Sequence, residues 1–252
     1  MEGLNQKKLF ISHSSRDLAY VSHLVKYLGA LGMNENNMFC SSIKGYGIPL
    51  GENIYDYLKE QFQNYELRVI FVLSDNYYNS VASLNEMGAA WVLQNDYNCI
   101  LLPKFEFKDI KGAVDPRKIS IKMDSSEKDV KNRLFELWKS LQKDFKLRNI
   151  SYVLFDNYSA EFIRNVRNIA SLWEDLHRCA TLKKPKSEWL IPLQKLEVLD
   201  PESFDVLFSL SITYGELGDI GQARYYLKKA EDVASDEDMR KDIQKFKIKM
   251  KL

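Results

Sequence analysis

A chain of 252 residues has room for one large domain or two modest ones, and 45% hydrophobic against 28% charged residues is the balance of a globular protein. Lys plus Arg number 36 against 35 Asp plus Glu, a formal charge of +1. That argues against nucleic acid as a partner, because phosphate-backbone binding shows as a basic excess or stripe. Three widely spaced cysteines (Cys40, Cys99, Cys179), with no CxxC pair, argue against a disulfide framework or a zinc site and suit a reducing cytoplasm.

Residues 1–7 are short and polar, so no leader peptide is expected. No apolar run approaches the ~20 residues of a membrane span, and the expected setting is soluble and cytoplasmic, with no membrane partner. From 8 to 145 apolar runs alternate with helical patterns, the order of βα units around a parallel sheet. The strands fall at 8–12, 37–40, 67–73, 99–103 and 118–122. The third contains Val69, Ile70, Phe71, Val72 and Leu73 without interruption, as a central strand covered on both faces does. Helices are predicted at 18–31, with an apolar stripe from Val21 to Leu31 ended by Gly32, and at 52–62 and 83–93. A last one at 128–145 carries Val130, Leu134, Leu137, Trp138 and Leu141 on one face.

Beyond 150 the pattern is helical only, which divides the chain into 1–148 and 149–252. Phe162, Val166, Ile169, Leu172, Trp173 and Leu176 share a face. Leu207, Leu210, Tyr214, Gly218, Ala223, Leu227 and Ala230 fall at the spacing of a tetratricopeptide (TPR) repeat, and 189–200 is similar to the second helix of a preceding one. An ordinary helical hairpin explains the same spacing, and one and a half repeats are too few for a free-standing solenoid. The Lys-rich end, 241–251, alternates with Ile243, Phe246 and Ile248 and reads as a solvated helix face with an apolar stripe.

Two places carry candidate chemistry. The first strand breaks directly into His13, Ser14, Ser15 and Arg16, and a strand ending in hydroxyls before a helix is where phosphates and ribose hydroxyls are often held. Ser14 or Ser15 is also a natural helix cap, with Asp17 in the first turn. The second is Glu86, the one carboxylate among Ala82, Ser83, Met87, Gly88, Ala89 and Ala90. Small neighbours make its helix face closely approached and partly dry; an ordinary carboxylate favoured by the helix dipole is the plainer account. Between them, Gly45, Gly47, Pro49 and Gly51 mark a turn that matches neither a Walker loop nor GxGxxG. Lys44 in that turn is either a phosphate ligand or a solvated cation.

The order FISHSSRD (10–17), FCSSIKGYGIPLGENI (39–54), RVIFVLSDNYYNSVASLNEMGAAW (68–91) and NCILLPKF (98–105) resembles a bacterial TIR (Toll/interleukin-1 receptor) domain over residues 1 to about 145. The resemblance implies a flavodoxin-like α/β fold with a five-stranded parallel sheet, followed here by an all-α region with a TPR-like hairpin. It implies NAD+ nucleosidase activity, yielding nicotinamide and ADP-ribose or a cyclic isomer, with NAD+ as substrate and neither cofactor nor metal. It places the catalytic role on Glu86 and substrate binding on His13, Ser14, Ser15, Lys44, Gly45, Tyr46 and Ser83. Antiphage defence, self-association through the TIR domain with the C-terminal helices as a further candidate surface, and a partner from a defence system go with it. Many active members carry a Trp four residues before the glutamate and a Cys three before it; here those positions are Ala82 and Ser83. The alternative is a non-enzymatic TIR/TPR adaptor. A phosphoacceptor domain of the same fold lacks its acidic cluster after the first strand.

Overall fold

The computed structural model describes residues 6–43, 45–47, 52, 54–93, 95–234 and 237–250. The chain forms two compact units, 1–167 and 168–252. In the first, five parallel strands, β1 (Lys7–Ser12), β2 (Met38–Phe39), β3 (Glu66–Leu73), β4 (Asp96–Leu101) and β5 (Ile121–Lys122), lie in the order 2-1-3-4-5. This is the flavodoxin-like doubly wound order, in which the direction of strand addition reverses between β1 and β3.

Side chains alternate across a strand, and the sheet uses both faces. Leu9, Ile11, Ile70, Val72 and Ile100 pack against α1 (Leu18–Ala30) and α5 (Glu127–Phe145). Phe10, Val69, Phe71, Leu73 and Leu101 pack on the other face with α2 (Ile54–Asn64), α3 (Asp75–Tyr78) and α4 (Val81–Val92). Being covered on both sides is why β3 is apolar without interruption. It also means that Ser12, two residues after Phe10, faces α3 and α4.

The strands differ in length from those read in the sequence. β2 and β5 keep only two residues each, and β4 starts at Asp96, three residues early, where polar Asp96, Tyr97 and Asn98 register with Arg68, Val69 and Ile70. One turn, α3, has no apolar period to betray it; Ser74 caps it by accepting from Tyr77 N at 3.0 Å.

The loss of strand signal at 148 is not where the compact units divide. Helix α6 (Tyr152–Thr181) contributes its first half to the first unit: Phe155 stacks on Trp138 at 5.3 Å, Phe162 on Tyr27 at 5.0 Å, and Ser159 Oγ lies 3.1 Å from Tyr27 Oη. The second unit adds α7 (Lys186–Leu199), α8 (Phe204–Glu216), α9 (Ile220–Val233) and α10 (Glu237–Met250). α8 and α9 form a hairpin turned at Gly218, whose φ of 83° suits glycine, and Asp219 caps α9. Leu207, Leu210, Ala223 and Ala230 fill its interior, and Tyr214 stacks on Tyr226 at 5.6 Å. Among the described residues no helix is long and apolar enough to cross a membrane.

Candidate functional site

In open α/β sheets, ligands bind beyond the carboxyl ends of the strands where the strand order reverses. Here that crevice lies past Ser12 of β1 and Leu73 of β3. Three connections build it. Asp17, buried just after β1, accepts from Ser74 Oγ and from Asn76 Nδ2 at 2.8 Å, joining the β1 end to the start of α3. Ser83, 1% exposed, donates from Oγ to the His13 carbonyl at 3.0 Å, joining α4 to the same loop. Ser80 caps α4 by accepting from Ser83 N at 3.2 Å.

One turn further along α4, Glu86 comes over β1, its Oε2 2.6 Å from Ser12 Oγ. Ser12 Oγ lies 2.9 Å from Tyr77 Oη, which donates to the Ser83 carbonyl at 2.9 Å. Glu86 is half-buried, and burial pushes its carboxyl up to about 7, partly offset by the Ser12 hydroxyl. It also lines an apolar cavity of about 390 Å³ between α2 and α4, whose walls include Leu58, Phe62, Ala82 and Ala89, with Lys59 and Gln63 among the polar residues. That volume suits a small-molecule ligand. A carboxyl poised near neutrality at an apolar cavity can stabilise a developing positive charge that water would otherwise screen.

The sequence candidates separate into groups. Glu86, Ser83 and His13 come together. Ser83 acts through its bond to the loop, being too buried to present its hydroxyl. His13 is buried and held neutral, with its ring pushed down to about 4; Nδ1 lies 3.2 Å from the Ile11 carbonyl, so it carries the proton, and Nε2 has no partner among the described residues. Ser14 is buried and caps the short 3-10 turn Ser15–Asp17 by accepting from Arg16 N, while Ser15 is exposed at its start. Tyr46 packs against the core on the α1 side of the sheet, its hydroxyl beside Gly29. Gly45 takes φ 85° with open space around it, so its part is to turn the chain. Lys44 lies outside the described residues.

Gly47 is the more constrained glycine. A Cβ there would meet the Ser41 carbonyl at 2.9 Å and the Ile43 carbonyl at 3.1 Å. Gly47→Ala is therefore expected to open the 40–47 turn, which closes through Cys40 N to Tyr46 O at 2.8 Å, at a cost of about 1–3 kcal/mol. Urea unfolding checks this; an unchanged midpoint would contradict it.

Sequence reasoning passed over Ser12, Asp17 and Tyr77 as site residues, and Leu58 and Phe62 as cavity walls. The period of two places Ser12 on the Phe10 face, and Ser74-Asp75-Asn76 after an apolar strand is a helix-cap signal; together they foretell a polar cluster there. Phe62 carries no such signal, since it also packs edge-on to Phe10 at 5.9 Å as a core residue does.

No family model matches the chain. Over 113 residues, 45% of the chain, it is 42% identical to an uncharacterized protein of Bacillus subtilis (strain 168), YddK, and the match covers 42% of that relative, so the chain spans less than half the length of the curated relative it matches.

Proposed function

We propose that the first unit is a TIR-type NAD+ nucleosidase, with Glu86 stabilising the ribosyl cation as nicotinamide leaves. The observation that carries this reading is Glu86 itself: a half-buried carboxyl at the strand-order reversal, opening on an apolar cavity. Breaking the bond between nicotinamide and ribose expels a neutral ring from a pyridinium, so no strong general acid is required. The barrier lies in the oxocarbenium-like ribosyl centre, and a fixed carboxylate facing it lowers that barrier electrostatically. The cavity wall at Ala82, where many active members of the resembling family carry Trp, leaves Phe62 as an aromatic side chain in the lining.

A cytoplasmic setting accords with Cys40, Cys99 and Cys179 all being free and buried. A role in antiphage defence, self-association and a defence-system partner follow from the same resemblance. Incubation of the purified chain with NAD+, with chromatography of nicotinamide, ADP-ribose and cyclic products, tests the activity. Intact NAD+ after prolonged incubation across protein concentrations would refute it.

One observation favours the adaptor reading. α4 exposes Val81 (75%), Trp91 (64%) and Val92 (67%), and exposed apolar side chains of this kind are what a protein partner covers. The chromatography separates the readings, because an adaptor leaves NAD+ untouched.

A further inference from the structure

A chain of hydrogen bonds ends on Glu86. Four groups stand in line: Glu86 Oε2, Ser12 Oγ at 2.6 Å, Tyr77 Oη 2.9 Å further, and the Ser83 carbonyl at another 2.9 Å. A carbonyl only accepts, so Tyr77 must supply the proton of the last link. Ser12 has a single proton, for Glu86 or for Tyr77.

With Glu86 ionised, two protons serve three links. Ser12 then donates to the carboxylate, and the Ser12–Tyr77 contact is left either without a proton or sharing that of Tyr77. With Glu86 protonated the chain closes in one direction: Glu86 to Ser12, Ser12 to Tyr77, Tyr77 to the Ser83 carbonyl. Every buried hydroxyl is then satisfied, the arrangement that buried polar networks favour.

We propose that Tyr77, acting through Ser12, is a positioning residue that favours the protonated form of Glu86 in the unliganded site, while Ser12 stands ready to donate to the carboxylate, so that a cationic ligand arriving beside Glu86 is bound with release of one proton. The balance is simple. The proton on Glu86 Oε2 leaves to bulk solvent, Ser12 turns its hydroxyl from Tyr77 to the new carboxylate, and Tyr77 keeps its bond to Ser83. The charge needed to face a ribosyl cation is thus created when a pyridinium is present. Its consequence for turnover rests on the nucleosidase reading; the proton count does not.

Among the described residues, the other titratable groups around Glu86 leave it as the one placed to change state near neutrality. Cys40, following β2, is buried with its thiol pushed up to about 12, and His13, 3.9 Å from Cys40, stays neutral. Burial pushes the Tyr77 phenol well above its usual range. Lys59 of α2 lines the cavity, but it is exposed and its charge is screened. Asn85 and Gln63 are neutral.

The test is a carboxyl carbon titration of the full chain carrying 13Cδ-glutamate, with Glu86 assigned by the resonance that Glu86→Gln removes. In the wild type the midpoint is expected near neutrality. Tyr77→Phe removes the link that rewards the protonated form, and its midpoint should fall by about one pH unit. Ser12→Ala strips the carboxylate of its donor, the stronger charge-assisted bond, and its midpoint should rise. A role confined to packing would not move the two variants in opposite directions.

A wild-type Glu86 ionised throughout the acid and neutral range would overturn the proposal whatever the variants do, and so would a Tyr77→Phe midpoint that stays or rises. The acid limb of NAD+ cleavage should shift in the same order. If the titrations behave as stated while NAD+ is never cleaved, the proton chain stands and the nucleosidase reading falls.

Discussion

Glu86→Gln should fold, lose NAD+ cleavage by a factor on the order of 10²–10³, and gain stability over the wild type at neutral to alkaline pH. The gain follows from the sign of the shift. Burial lifts the Glu86 carboxyl from its ordinary 4.5 to about 7 in the folded protein. The folded state therefore binds a proton more readily than the unfolded chain between those values. Stability that is fully present below pH 4.5 is lost as pH rises to about 7. Gln never ionises and escapes that loss, and its amide can donate to Ser12 as the protonated acid does. The two proteins should match in acid and diverge above it, by at most on the order of 3 kcal/mol. Denaturant titrations at acid and alkaline pH, beside the chromatographic assay, measure both effects. Wild-type turnover by a folded Glu86→Gln protein would sink the assignment, and a variant less stable at every pH would contradict the burial argument.

Asp17→Ala carries the second large effect. This carboxylate, 2% exposed, holds Ser74 and Asn76 and so fixes the entry of α3 beside the β1 end. It is also the residue before α1, where its charge meets the positive end of the helix dipole. Removing it leaves two donors without their acceptor, for an expected loss of about 3 kcal/mol. Asp17→Asn keeps the shape and one acceptor oxygen and should lose less. Because Tyr77 lies in α3, Asp17→Ala should also impair whatever reaction Glu86 performs, though Asp17 does not reach the cavity. Unfolding curves and turnover measured together settle this. A change within about 0.5 kcal/mol would place Asp17 among ordinary surface positions.

Much of the α/β unit was legible because its signals are periodic. The run from Val69 to Leu73 specified a doubly covered strand, and Val130, Leu134, Leu137 and Leu141 specified the face of α5. Edge strands were drawn too long, since β2 and β5 keep two residues each and apolar composition there serves packing rather than pairing. The division between units was obscured for a similar reason. Phe155 and Phe162 read as part of a continuous helical stripe, and nothing in a stripe says which core it joins.

For the site, Glu86 stood out because a lone acid among small residues contradicts its surroundings. Ser83 was noticed for its place three before Glu86, whereas its structural work is to grip the His13 carbonyl. Ser12 and Tyr77 were missed because their significance is relational. A serine at a strand end and a tyrosine in a capped turn are unremarked until folding joins positions 65 apart in the sequence. Tyr46, an aromatic in a glycine-rich turn, packs against the core on the α1 side of the sheet, a contact its place in the turn did not announce.

The two-residue outer strands bear on how copies of this chain can meet. An exposed strand of ordinary length offers a row of unpaired amides and carbonyls onto which another chain can dock as a further strand, the route to runaway aggregation. β2 and β5 present almost none of that template on the two rims of the sheet. Crowding the protein to high local concentration therefore carries little risk of strand-on-strand polymerisation, and any ordered association is left to side chains on helices and loops. Such contacts can be reversed by dilution, whereas a continued sheet resists it.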